Sequence, residues 1–408
     1  MDNTVKDVIF KNIGFFNHTN SLKNKIIENG FLKVIPDNQT QNFLKNSYYT
    51  EYVSILFSEI SGYSVDRYSK KIDFDFEIIS SSTKVRVDYF EVFFFNDPYQ
   101  KNQTAIFSLN YIIDNPTLEM ISDISNFTKN NDCMIRFKGQ DTSLKEFIAS
   151  NFLSGYNYYD NDTSLEQYAG SKFKNYLILD FEEEDLNRDN LLFELGTSSK
   201  LNTINDKTID APSEVYMNYI LQNKISCFRN YDCLTLLTSF TVIGSKNYNR
   251  DDIYNHSTWN NIYFCIYIYN LYLKSSLQIF SNDFTDESMK KRSEFQEFYN
   301  KYYLKKISYN FLPNEIYKGI YNSLEIEEDI NFIRDRLETL AIQVNEKQQN
   351  QIGLILLVIS VIALLETPLH IEGIREILGI DAVVIYNTSI YVLLVFSVVF
   401  FLYKNLKK

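Results

Sequence analysis

Along residues 72–79 apolar and polar positions alternate strictly, with Ile72, Phe74, Phe76 and Ile78 on one side and Asp73, Asp75 and Glu77 on the other. A period of two predicts a strand with one covered face. Ser80, Ser81, Ser82 and Thr83 supply a turn, and two further runs, 85 to about 95 and 105–113, predict an antiparallel meander. Asn115 and Pro116 have the chemistry of an N-cap and a first helical position for a helix through Phe127. Further strands are expected at 133–137 and 176–181, and helices near 185–195 and 213–222. The expected fold is therefore an α+β domain over residues 1–250.

From residue 251 the period changes to that of long helices. Residues 259–280 and 287–309 predict two of them within 251–312, packing on a stalk helix further along the chain. Residues 262–268 are apolar enough to raise the question of a membrane span, but Asn260, Asn261, Asn270 and Lys274 favour a buried helix. Ile326, Ile330, Ile333, Leu337, Leu340 and Val344 then step by four and three, the spacing of a coiled-coil seam. With no proline between Pro313 and Pro368, one helix from 314 to 365 is expected, about 78 Å long. Its stalk portion is 313–351.

The register continues through Lys347 and Gln351 to Leu354, Val358, Val361 and Leu365. Residues 352–365 and 382–403 are almost wholly apolar, and they predict two C-terminal transmembrane helices within 352–408. Lys404, Lys407 and Lys408 place both termini on the cytoplasmic side of a cell inner membrane by the positive-inside rule. Fourteen apolar residues rise only about 21 Å, so the first span must run past Glu366 or begin near Gln348. Glu366 and His370 accordingly face either a water-filled outer mouth or the headgroups. Gly353, at the membrane entrance, is the expected hinge.

Composition narrows the functional classes. Gly and Pro number 12 and 6 in 408 residues, well below the roughly 12% of average proteins, which excludes turn-rich propellers and Pro-rich disorder. No G-x-G-x-x-G or P-loop motif is present. A formal net charge of −12 argues against direct nucleic-acid binding and leaves a divalent cation as a partner. The four cysteines show no C-x-x-C, and with three histidines a zinc site is not expected. Asp180, Glu182, Glu183, Glu184 and Asp185 read either as cation ligands or as a helix N-terminus. No catalytic triad or dyad is discernible, so no enzyme and no cofactor are expected.

The order of these parts, carried by the seam at 326–344, the stripe Leu354, Val358, Val361 and Leu365, and the terminal lysines, resembles the CorA-like family of two-transmembrane cation channels. The resemblance implies a homopentamer in the lipid bilayer whose pore is lined by Gln351, Leu354, Val358, Val361 and Leu365. The family's Gly-Met-Asn signature is missing, with Glu372, Gly373, Ile374, Arg375 and Glu376 in its neighbourhood. That loss turns the expectation from a Mg²⁺ transporter to the CorA-like effectors of type III CRISPR defence, pores opened by a nucleotide second messenger. A divalent-cation transporter and a membrane-anchored coiled coil are the alternatives.

Overall fold

The computed structural model describes residues 5–18, 20–57, 65–96, 103–153, 172–181, 187–205, 211–245, 258–282 and 288–370. Its longest surprise is β1, Val5–His18, a strand the chain's pattern does not announce. Val5, Ile9, Phe10, Ile13, Phe15 and Phe16 are all buried, so both faces of the strand are apolar and no period of two emerges. The reason is position: β1 lies in the interior of an 11-stranded sheet.

The other strands are β2 (Leu32–Lys33), β3 (Val65–Ile78), β4 (Thr83–Phe95), β5 (Gln103–Ile112), β6 (Met134–Phe137), β7 (Gln140–Ser143), β8 (Lys174–Phe181), β9 (Lys224–Phe228), β10 (Tyr231–Leu236) and β11 (Ser239–Ser245). Their order is β7-β6-β3-β4-β5-β1-β8-β11-β10-β9, with β2 beside β3. The expected meander is β3-β4-β5, antiparallel throughout. Among the described residues only β8 and β11 run parallel.

Helices cover the two faces differently. On one face Phe10, Phe90, Phe107 and Leu177 join a core with α4 (Leu118–Thr128), α5 (Leu144–Asn151) and α6 (Arg188–Gly196). Before these in the chain come α1 (Asn20–Glu28), α2 (Asn38–Ser47) and α3 (Thr50–Leu56), and α7 (Glu214–Leu221) follows α6. The opposite face meets α8 (Phe264–Asn282), preceded without a gap by a π-helical turn, Thr258–Tyr263. There Phe95 stacks on Tyr272 at 3.8 Å, and Phe93 and Tyr176 meet Phe264 edge-on. Residues 264–273 are all buried by this packing, and Lys274 forms an ion pair with Asp329 at 2.8 Å. The apolar run at 262–268 is thus a sheet-covering helix, as Asn270 and Lys274 indicate.

Three local expectations are corrected. The N-cap of α4 is Thr117, whose hydroxyl accepts from Met120 N–H, while Asn115 sits at φ +49° in the preceding turn. The helix expected over 287–309 ends early, as α9 (Ser288–Tyr302). The single stalk from 314 is two helices, α10 (Phe311–Ser323) and α11 (Ile326–His370), broken where Glu325 takes φ +54°. A left-handed residue ends a helix in the manner of a C′ position.

The expected fold class is corrected as well. Among the described residues no helix is long and apolar enough to cross a membrane, which overturns the architecture of two C-terminal transmembrane helices. In α11 the run whose side chains are described is only 352–360, rising about 13 Å against a hydrocarbon core of about 30 Å. The second expected span, 382–403, lies outside the described residues. The α+β domain itself is present. The chain divides into two units, Met1–Arg334, which holds the sheet, and Asp335–Lys408.

Candidate functional site

In β1 the residues Val5–Ile13 pair with β8, but pairing with β5 begins only at Phe10, opposite Tyr111. Residues 5–9 therefore have a ladder on one side and an open fork on the other. At the fork Val8 N–H is satisfied locally, donating to Asp7 Oδ1 at 2.8 Å. Two extra residues widen it: Lys6 in β1, where the register slips between Val5 and Asp7, and Asp88 in β4, where it slips between Val87 and Tyr89. Such bulges re-aim neighbouring side chains and interrupt a ladder next to binding sites. The fork holds a cavity of about 280 Å³, lined among others by Lys6, Lys11, Asp88, Tyr89, Asn110 and Asn260.

Lys11 is the centre of this cavity's chemistry. Its side chain is only 1% exposed, and its Nζ donates to Tyr89 Oη and to the Asn260 carbonyl, both at 3.2 Å. The ring of Phe264 lies 3.8 Å away. Tyr89 in turn donates to Asn260 Oδ1 at 3.2 Å, so strand and π-helical turn share one hydrogen-bond triangle. Burial lowers the Lys11 pKa to about 7, and Glu91 opposes that fall only in part. Near neutrality the amine is thus divided between its charged and neutral forms.

Glu91 gives incomplete compensation because Arg67 holds it. Arg67 donates to Glu91 Oε1 through Nη2 at 2.6 Å and through Nε at 3.1 Å, and reaches Asn261 Oδ1 at 3.2 Å. Glu91 Oε2 stands 4.0 Å from Lys11 and accepts no hydrogen bond. Two buried cations therefore share one buried carboxylate. Beside them Asn110, 3% exposed, donates to the carbonyls of Tyr89 and Ser108 while its Oδ1 has no donor. An unfilled acceptor and a half-charged amine around one cavity suit an anion with a neighbouring donor group. Asn260 and Asn261 come from a π-helical turn, a form frequent at functional sites.

A second polar cluster on the other face differs in kind. Asn12 accepts from Tyr111 at 2.6 Å and donates to Asn175 at 2.7 Å, and Asn175 donates on to the Ser125 and Ser198 hydroxyls. Each of these amides has found its partners, so this cluster reads as a core lock.

The residues expected to form a pore all lie on α11. Gln351 and Gly353 are exposed on α11, and Leu354 and Val358 are half-buried. Gly353, the expected hinge, lies inside the continuous helix α11 with open space around it, and the break between α10 and α11 is at Glu325. Val361, Leu365, Glu366 and His370 belong to the same helix, with side chains outside those described. Asp180 is a buried residue of β8, and Glu182–Asp185 are outside the described residues. No group of three or more His, Cys, Asp or Glu is placed to hold a metal ion among the described residues.

Sequence reasoning missed Lys11 and Glu91 because each sits beside apolar residues in a strand, and Arg67 because it stands in the mixed run Val65-Asp66-Arg67-Tyr68. The available signal for the first two was a lone charge in an apolar run, as in Val8-Ile9-Phe10-Lys11 or Phe90-Glu91-Val92-Phe93. Asn260 and Asn261 were visible, but only as marks of a buried helix. No protein-family model, no curated protein and no solved structure matches the chain.

Proposed function

We propose that this chain is a non-catalytic, ligand-responsive protein whose receptor site is the Lys11 cavity and whose ligand is a small anion. The observation that carries the reading is that Lys11 has no carboxylate within hydrogen-bond reach among the described residues, its ion-pair partner Glu91 Oε2 standing 4.0 Å away. Glu91 is committed to Arg67, the cavity opens onto the amine, and Asn110 offers an empty acceptor nearby. An anion placed there restores the charged amine and recovers part of its desolvation cost. The nucleotide second messenger implied by the CorA-like resemblance belongs to this chemical class, and the volume limits it to a mononucleotide or smaller.

Occupancy is read out, in this proposal, through the π-helical turn. An anion that takes over Lys11 Nζ competes with the Asn260 carbonyl, the first contact of the α8 region with the site. The same helix carries Lys274, whose ion pair with Asp329 ties it to the first turn of α11. A ligand shifts such a linkage only by its differential affinity for the two states. The pore and its lipid partner rested on the two expected spans, and they form no part of this proposal.

Thermal-shift titration of the full chain with 5′-AMP, 3′,5′-cyclic AMP and inorganic phosphate tests the reading. A concentration-dependent rise in Tm is expected with at least one of them, and its loss in Lys11→Met. No rise with any of the three, or an equal rise in Lys11→Met, contradicts it.

A further inference from the structure

We infer that Lys11 is a nucleophilic amine that captures small carbonyl-bearing anions as a reversible imine inside the fork cavity. The inference rests on the receptor-site reading and names the ligand class within it. Its basis is the arrangement of donors and acceptors around Nζ. A neutral amine has two N–H bonds, and two acceptors, Tyr89 Oη and the Asn260 carbonyl, meet them at 3.2 Å. The lone pair is then left without a donor among the described residues, beside a cavity large enough for an aldehyde or keto acid. An ammonium in the same place has a third N–H that meets, among the described residues, the Phe264 ring at 3.8 Å and Glu91 Oε2 at 4.0 Å and no acceptor within hydrogen-bond reach.

The step balances without a co-reactant. The nitrogen lone pair forms a bond to the carbonyl carbon, the C=O π pair moves to oxygen, and that oxygen takes a proton released from nitrogen. The carbinolamine hydroxyl then leaves as water as the C=N bond forms. Net, the ammonium and the carbonyl compound give a protonated imine and water. Charge at the nitrogen is conserved, so the protonated imine keeps Phe264 and Glu91 as its neighbours. The Tyr89 hydroxyl, 3.2 Å from Nζ, is the group placed to relay the proton that travels to the leaving water. Asn110 is positioned to accept from a hydroxyl on the captured compound. A lysine near pKa 7 has a neutral fraction at pH 7 about a thousandfold above that of an ordinary lysine.

The test is reductive trapping on the full wild-type chain with glyoxylate and cyanoborohydride at pH 7, followed by peptide mass mapping for carboxymethyl-lysine. Lys11 is expected to be modified at least tenfold faster than the exposed Lys25 and Lys71. Modification of Lys11 no faster than Lys25 and Lys71 overturns the inference. Because the readout is a ratio within one folded protein, it does not depend on a Lys11 variant folding. If AMP or phosphate raises Tm while glyoxylate spares Lys11, the imine falls and the receptor site stands. If glyoxylate marks Lys11 while none of the three anions raises Tm, the imine stands and the nucleotide and phosphate ligands fall.

Discussion

Lys11 Nζ stands 4.0 Å from Glu91 Oε2, an ion-pair distance beyond hydrogen-bond reach. That separation is a consequence of Arg67, which takes the other oxygen of the same carboxylate. The two cations and the carboxylate are contributed by β1, β3 and β4, with β5 between β1 and β4, so the cluster spans four neighbouring strands. Replacing the shared anion should therefore be felt across the sheet. Glu91→Gln is expected to destabilise the protein by about 3–5 kcal/mol in denaturant unfolding, because it strands two buried charges. Glu77→Gln, which loosens a solvent-screened pair with Arg136 at 3.8 Å, should have a much smaller effect. Equal, small effects from both would show that the cluster contributes little.

Lys11 also fixes a pH dependence. Its folded-state pKa of about 7 lies below the ordinary lysine value of about 10.4, so between these pH values the unfolded chain binds a proton that the native chain does not. Stability should rise with pH across that window by up to about 1.4 kcal/mol per pH unit from this group. The titratable groups facing it are Glu91 and Asp88 from β4, Arg67 from β3 and the Cys265 thiol from α8, with the Tyr89 hydroxyl 3.2 Å from its nitrogen. They remain in Lys11→Met, so the difference between the two proteins isolates Lys11. The advantage of the Met variant should be largest below pH 7 and decline toward pH 10; a difference curve independent of pH would refute the shift.

The break between α10 and α11 gives a backbone prediction. Glu325 holds φ +54° with a side chain that disfavours it. Glu325→Gly should stabilise the protein by up to about 1 kcal/mol, since the native angle suits glycine. Loss of stability in urea titration would mean that the side chain holds the turn together.

Gly14 of β1 lies opposite Phe107 of β5, and a Cβ at this position would overlap the Phe107 ring. Gly14→Ala is expected to cost about 1–3 kcal/mol through overpacking, and Gly14→Ala with Phe107→Leu should recover part of it. A neutral single substitution, read by thermal unfolding, would show that the ring moves freely.

Legibility followed burial. The meander at 72–113 could be read because one face of β3 is open enough to keep polar residues, so its alternation survives. β1 could not, because both of its faces are covered and its apolar residues fall at mixed spacings. The long-helix expectation failed at Glu325 for a different reason: no proline or glycine marks that break, and the backbone reversal is carried by an ordinary acidic residue. The site was hidden for a third reason. Lys11, Glu91 and Arg67 lie far apart in the chain and become a cluster only through strand order, which pattern alone does not fix.

Calorimetry at pH 8 in two buffers of different ionisation enthalpy tests the central claim most directly. At that pH the free Lys11 amine is mostly neutral, and an anion beside it draws a proton onto it. The expected result for AMP or phosphate is binding with uptake approaching one proton per site in the wild type, and no such uptake in Lys11→Met. Binding without proton uptake, binding of equal strength in the variant, or no binding would contradict a receptor site built on Lys11.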